Sequence, residues 1–411
     1  MKSKQMSMNA RKEYLKEIYG RYRQVNKLGK NQILNEFTAT TGYNRKYAIR
    51  LLNGALPSQI SNQRKNRPLN YTNEHIYYLK KIWDILDNPC GVRLKPMVAE
   101  MIEVLKRCQE LIVPNLITRK LRLMSATTMD RRLEIFKSRL IRTIHGTTKP
   151  GSLLKKQIPI SLSRWNEKIP GFTELDLVAH CGMNTTGDFI STLNITDLAT
   201  GWTESNAVLG KAQSKVLEAL KIIQNRLPFK LKGIDPDNGS EFINWQLFKY
   251  CLNQKIKFTR GRPGKKNDNP YIEEKNWTHV RKIVGYDRLD TADELEILNS
   301  LYAGPLRLYL NFFQPVMRLK TKQRVRGRLK KTYDIPQTPY HRLLKSRSIS
   351  KQQKQQLTEI YLTLNPVKLK RDIQSHLALL RKLVREQKEK NPPPAKVTYY
   401  TTQRIPVKLH Y

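Results

Sequence analysis

The sequence predicts a multidomain α+β protein: helical modules first, a central α/β core with a five-stranded mixed sheet, and a C-terminal small β module plus helices. Three observations carry this. The hydrophobic period switches from helical to alternating near residue 171, and back to helical after about residue 290. Charge is partitioned along the chain: net +12 over 1–70, +10 over 71–170, only +3 over 171–290, and +17 over 291–411. Aperiodic stretches with Pro and Gly separate the segments, PSQISNQRKNRPLNYT from Pro57 and a second from Thr147 to Lys156.

With 411 residues, 39% of them hydrophobic, the chain can build several cores. A net charge of +42 is far more than a small anionic substrate requires and points to a polyanion, most simply nucleic acid. A ribosome-associated or membrane-surface protein is the blander alternative. The four cysteines, Cys90, Cys108, Cys181 and Cys251, form no CxxC pair, which suggests a reducing compartment. There is no apolar run of transmembrane length and no apolar signal core in MKSKQMSMNARKEY. The expected location is therefore cytoplasmic, with no membrane partner.

Ala10 to Gln24 carries Tyr14, Leu15, Ile18 and Tyr22 at helical spacing. Asn31 to Phe37 reads as a second helix, Gly42 as a turn, and Asn44 as the cap of a third helix that Gly54 ends. This is a helix-turn-helix pattern over 1–56, with Arg45, Lys46 and Arg50 offered to DNA. Residues 72–146 repeat the theme. Thr72 caps a helix to Leu86, Pro96 opens another, Asn115 to Leu123 is short, and Ser125 caps a last helix bearing Arg131 and Arg132. The expectation is a second helix-turn-helix-like DNA-binding module.

From 171 the strands begin. FTELDLVAHC, DFISTLNITDLAT and WTESNAVLG read as an antiparallel meander, with Asp188 and Asp197 in strand-end and turn roles. An amphipathic helix follows from Lys211 to Arg226, then a strand over Lys230–Ile234, a helix from Glu241 to Asn253, a strand over Ile256–Thr259 and a helix from Tyr271 to Val284. The order βββαβαβα over 171–290 is that of a ribonuclease H-like fold. His180 and Cys181 are read as core strand residues, not as metal ligands. Beyond it, 291–345 reads as helix plus a basic β module. There Arg318, Lys320, Lys322, Arg324, Arg326, Arg328 and Lys330 recur at every second position, which on one strand places all seven on one face. Residues 346–391 read as C-terminal helices and 392–411 as a tail.

Three carboxylates stand out. Asp176 lies mid-strand on the first strand. Asp237 opens an Asp-Asn-Gly turn after the fourth, where Asn238 and Gly239 suit a positive φ. Glu273 lies in the first turn of the last core helix, 35 residues beyond Asp237 and on the face of Trp277 and Val280. Phosphodiester chemistry needs an activated oxygen nucleophile and a stabilised leaving oxygen; two divalent ions on three converging carboxylates supply both. Asp235 and Glu274 are rivals by position, and Glu174 shares a strand face with Asp176. The basic loop Gly261 to Asn269, with Arg260, Arg262, Lys265 and Lys266, is read as a DNA clamp.

The LDLVAHC strand, the DNGSEF turn from Asp237, the IEEKN helix start around Glu273, the spacing of 35, TDLATGW and FTRGRPGKKNDN together resemble the integrase core of DDE transposases and retroviral integrases. Within these the segment is most similar to bacterial insertion-sequence transposases. The resemblance covers 171–290 strongly and the flanks with less specificity. It implies that Asp176, Asp237 and Glu273 are catalytic and bind Mg2+ or Mn2+, two ions per site, and that Asn276 matches an Asn common in that helix. It further implies 3′-end cleavage and strand transfer on terminal inverted repeats and target DNA, by a homodimer or higher oligomer, in a bacterial, nucleoid-associated setting. A domesticated DNA-binding protein without catalysis and a purely hydrolytic ribonuclease H-like nuclease are the competing readings.

Overall fold

The computed structural model describes residues 6–54, 70–137, 169–237, 239–260, 270–325 and 328–390. The chain divides into two units, Met1–Asn70 and Tyr71–Tyr411.

The first unit contains α1 (Met8–Gln24), α2 (Lys27–Thr41) and α3 (Arg45–Asn53) around Leu15, Ile18, Phe37, Ala48 and Leu52. α2 starts four residues earlier than its apolar spacing suggests, because the Asn26 side chain caps it by accepting from Gly29 N at 3.0 Å. Gly42, at φ 70°, ends it in the left-handed conformation. Asn44 caps α3, on which Arg45, Lys46 and Arg50 are exposed.

In the second unit, α4 (Asn73–Ile85), α5 (Gly91–Arg107), α6 (Asn115–Leu123) and α7 (Ala126–Lys137) do not stand apart as a module. Leu79, Trp83, Met101 and Leu105 share one hydrophobic core with Tyr309, Phe312 and Phe313 of α13 (Arg307–Phe313), Tyr340 of α14 (Pro339–Lys345) and Leu377 of α16 (Pro366–Lys390). Arg107 donates to the carbonyls of Tyr361 and Leu364, both at 3.1 Å, tying α5 to the end of α15 (Lys351–Thr363). α5 also crosses α7 closely at Gly91, where any Cβ would meet the Ala126 carbonyl oxygen at 2.1 Å. On α7, Arg131 is exposed but Arg132 is half-buried, with its Nε buried.

The sheet runs in the order β3-β2-β1-β4-β5: β1 (Phe172–Ala179), β2 (Ile190–Asp197), β3 (Thr203–Leu209), β4 (Gly233–Pro236) and β5 (Lys257–Phe258). β1–β2 and β2–β3 are antiparallel, whereas β4 is parallel to both β1 and β5. This is an α+β protein with a five-stranded mixed sheet, and the element order is the βββαβαβα read from the sequence. One sheet face is apolar. Leu175, Leu177, Leu193 and Ile195 pack there on Val216, Leu220 and Ile223 of α8 (Gln213–Arg226) and Leu247 of α9 (Trp245–Asn253). The outer edge of β3 is closed by side chains. Asn311 bonds both N–H and C=O of Thr203, at 2.9 and 2.8 Å; Asn299 of α12 (Ala292–Leu301) does the same at Ala207, at 2.7 and 3.1 Å. Arg226 donates to the Ser205 carbonyl between them at 2.6 Å. The edge therefore offers no free ladder for another strand.

The last core helix is not uniform. α10 (Pro270–Lys275) passes into a π-helical turn over Asn276–Arg281 and then into α11 (Lys282–Val284). The wider turn breaks the spacing that was expected to put Glu273 on one face with Trp277 and Val280. Val280 is buried, whereas Glu273 is exposed.

The basic stretch is a hairpin, not one strand. β6 (Leu319–Val325) and β7 (Arg328–Tyr333) pair antiparallel, with Arg324 opposite Leu329, Val325 opposite Arg328 and Lys322 opposite Lys331. Directly paired residues share a face, so Arg324 and Arg328 lie on opposite faces and the seven-residue basic face does not form. Arg318 precedes the hairpin and donates to the Ala199 carbonyl at 2.9 Å. Arg326 lies outside the described residues. Among the described residues no helix is long and apolar enough to cross a membrane.

Candidate active site

The parallel register of β1 and β4 runs Thr173–Ile234, Glu174–Asp235, Leu175–Pro236. One further step sets Asp176 beside Asp237, which follows β4 directly. Strand alternation puts Glu174 and Asp176 on the face opposite Leu175 and Leu177. Asp176 is half-buried there. Burial, then the nearby charge of Asp237, push its carboxyl up to about 7. The Asp237 carboxyl is also raised, by burial first and by Glu241 in part, although it accepts from Gly239 N at 2.9 Å. The charge of Asp237 thus adds to burial in favouring the protonated form of Asp176.

The face around them is polar and joined by a row of side-chain hydrogen bonds. Asp176 Oδ1 accepts from Leu177 N at 2.7 Å and Oδ2 from Asn276 Nδ2 at 2.5 Å. Asn276 Oδ1 accepts from Asn194 Nδ2 at 2.9 Å, and Asn194 Oδ1 from the Ser205 hydroxyl at 3.0 Å. Asp176, Asn194 and Ser205 are consecutive cross-strand partners, so the chain of bonds follows one row of the sheet. One row along, Thr196 and Thr203 bond at 3.1 Å; on the other side, His180 Nε2 and Thr192 Oγ1 bond at 2.8 Å. His180 is a core residue just past the end of β1 rather than a strand residue, and burial lowers its pKa to about 3.

Glu174 plays a part that sequence left vague. Its Oε2 accepts from Ile272 N at 2.8 Å, inside the first turn of α10. The first N–H groups of a helix lack internal partners, and an anion there meets the positive end of the helix. A strand carboxylate therefore pins the start of the helix that bears Glu273. Asp235 is buried within β4, two residues before Asp237 and opposite Glu174. Glu274 is engaged elsewhere, accepting from Arg93 at 3.2 Å.

Gly239 does not adopt the positive φ expected for its turn. What it provides is room: a Cβ at 239 would lie 2.6 Å from the carboxyl of Glu241. Glu241 contributes negative charge to both aspartates, and its only sequence signal was its place in DNGSEF. Arg260 is 5% exposed, so its side chain is not presented to a DNA backbone as expected. Arg262, Lys265, Lys266 and Asn238 lie outside the described residues.

The donor chemistry suits a hard divalent cation: carboxylate oxygens whose mutual repulsion such an ion relieves. The fit is that of a pair. Among the described residues no three His, Cys, Asp or Glu side chains are grouped to hold a metal, and Glu273 is exposed on α10.

No family model matches the chain. It is 36% identical over 344 residues to the uncharacterized protein y4rM of Sinorhizobium fredii (strain NBRC 101917 / NGR234), covering 83% of this chain and 97% of that one. The chain belongs to the y4rM family. Among solved structures it is similar to the catalytic core domain of BIV integrase, at 13% identity over 42% of this chain and 91% of that one, with a TM-score of 0.28. It is likewise similar to the HTLV-2 integrase catalytic core domain in complex with magnesium, in a dimeric form, at 14% identity over 36% and 91%, with a TM-score of 0.27.

Proposed function

We propose that this y4rM-family protein is a metal-dependent DNA transposase of the DDE type, with a ribonuclease H-like core, cleaving 3′ ends of a mobile element and joining them to target DNA. The observation that carries the reading is the parallel register of β1 and β4, which brings Asp176 next to Asp237 just past β4, with the Asp176 carboxyl raised by burial first and by the charge of Asp237 second. Asp176 and Asp237 would hold divalent Mg2+ or Mn2+, with Glu273 as the third ligand. When bound, such ions polarise the phosphoryl oxygen and lower the pKa of the attacking water or 3′ hydroxyl. The protein's own share is positional. Asn276 fixes one oxygen of Asp176, leaving lone pairs on both. Glu174 holds the start of α10 at the sheet, within one residue of Glu273.

DNA gripping is assigned to exposed basic side chains: Arg45, Lys46 and Arg50 on α3, Arg131 on α7, and Arg324 and Arg328 on the hairpin, with Lys322, Arg326, Arg262, Lys265 and Lys266 as further candidates. Two element ends joined in concert call for a homodimer or higher oligomer.

The test is a joining assay with labelled element ends, a supercoiled target and Mg2+ or Mn2+. Joined products are expected from wild type and are lost in Asp237→Asn and in Glu273→Gln. Cleavage without joining indicates a nuclease instead. Unaltered DNA binding with no turnover in wild type indicates a DNA-binding protein that has lost catalysis.

A further inference from the structure

A cavity of about 570 Å³ opens beside the helix that carries Glu273, bounded by the α4–α5 loop, residues 274–283, α13 and α16. Its wall has two characters. Ile283, Leu306, Leu310, Ile373 and Leu377 make one part apolar. Arg93, Lys275, Lys282, Lys370 and Arg381 make the other basic, with His279, which burial keeps neutral, beside them, against only two carboxylates, Asp87 and Glu274. Both acids are already engaged, Asp87 by Lys282 and Glu274 by Arg93 at 3.2 Å.

Two of the cavity's polar groups are deeply buried and poorly provided for. His279 is 7% exposed, and its Nδ1 has no hydrogen-bond partner among the described residues. Lys275 is 5% exposed, and its Nζ stands 4.0 Å from Glu274 Oε1, beyond hydrogen-bond reach. Buried polar and charged groups ordinarily find a partner, because leaving one unmet costs free energy. Here an anion entering from the cavity would meet both, together with the Arg381 guanidinium. The size is that of sites for small organic ligands, which combine an apolar wall with a few convergent polar groups. Clustered Lys and Arg favour phosphate.

We infer that this cavity binds an organic phosphate of nucleotide size, with its phosphate on Lys275, His279 and Arg381 and its body against Leu306, Leu310 and Leu377. Such a group can arrive as a free nucleotide or as the 5′-phosphorylated end of a DNA strand. The site goes beyond the strand-transfer reading and uses neither Asp176 nor Asp237.

The test is titration calorimetry on the full chain in EDTA, at salt high enough to screen the surface charge, with AMP, inorganic phosphate, and a trinucleotide with or without a 5′ phosphate. One saturable site per chain is expected for AMP or for the 5′-phosphorylated trinucleotide. AMP alone identifies a free nucleotide as the source, and the phosphorylated trinucleotide alone identifies a strand end. Affinity should fall about tenfold or more in Lys275→Met, the loss typical of a charge-assisted phosphate contact. Arg381 is exposed, so Arg381→Gln keeps the fold, and it should weaken the same ligand about threefold or more. Asp237→Asn should bind as wild type does, which separates this site from the strand-transfer reading. Absence of a saturable site for every probe, or affinity unchanged in both Lys275→Met and Arg381→Gln, overturns the proposal.

Discussion

On one face of the five-stranded sheet Leu175, Leu177, Leu193 and Ile195 meet the apolar stripe of α8; on the other Glu174 accepts from Ile272 of α10, Asp176 and Asn194 bond Asn276 of the π turn, and Thr196 bonds Thr203. The two faces answer differently to the same kind of change. Apolar packing is non-directional, so its cost on truncation follows the volume removed. The polar face is directional: each donor has one acceptor, and a single deletion strands its partner. A site that must hold carboxylates at fixed positions is better built on the second kind of surface. The sheet keeps the first kind on its far side for cohesion.

Leu220→Ala removes a fully buried side chain from the apolar face, and should cost about 2–5 kcal/mol in urea unfolding. Any effect on joining should disappear when the comparison is made at equal fraction folded. A loss below about 0.5 kcal/mol would show that the apolar face is not the cohesive one. Asn311→Ala leaves the buried N–H and C=O of Thr203 without their partner, and should cost about 1–3 kcal/mol. It should also expose the edge of β3, seen as self-association that rises with protein concentration in sedimentation velocity. Asn276→Ala frees one oxygen of Asp176, leaves Asn194 with an unmet donor, and should lower joining about tenfold or more, as outer-sphere partners of metal ligands do. Its stability should drop by only about 1 kcal/mol. A variant that joins ends at wild-type rate would remove Asn276 from the site.

The order of elements was legible because it is written locally. Alternation marks β1 to β3, and Asn44, Thr72 and Ser125 stand at the starts of α3, α4 and α7. The adjacency of Asp176 and Asp237 was also within reach, since strand parity and a parallel register suffice to place them. What escaped depends on residues distant in sequence. Glu174 reaches 98 positions along the chain to Ile272, and Asn311 reaches back 108 to Thr203. The π turn over Asn276–Arg281 leaves no mark in the apolar spacing, so the face assigned to Glu273 was wrong by the width of that turn. In the basic stretch, the parity of Arg and Lys continues unbroken across the point where the chain reverses between Val325 and Arg328. Charge alternation alone cannot tell a long strand from a hairpin. Arg260 was read by its charge, whereas its burial at the end of β5 is a property of the packed sheet. The unity of α4–α7 with the C-terminal helices was hidden for the same reason, because their shared core joins Leu79 and Trp83 to residues more than 200 positions away.

The smallest predicted effect distinguishes the two faces most sharply, because its sign changes. The Asp176 carboxyl is raised from the ordinary 3.8 to about 7 by burial first and by the charge of Asp237 second. The folded protein therefore holds that proton more tightly than the unfolded chain. The stability this lends is full below about pH 4 and is lost as pH rises through about 7. Asp237→Asn removes the second cause but not the first, and its amide oxygen can still accept from Gly239 N. In EDTA at pH 8 the variant should therefore be more stable than wild type, by about 1 kcal/mol, with a shallower decline between pH 5 and pH 8. Added Mg2+ should raise the melting temperature of wild type, since a ligand that binds only the folded state stabilises it, and should leave the variant nearly unmoved. The two melting curves then cross between EDTA and Mg2+. A truncation on the apolar face has no means of producing that crossing, since Leu220 neither titrates nor binds an ion. If Asp237→Asn proves less stable than wild type in EDTA at pH 8, the charge of Asp237 does not help to hold the Asp176 proton.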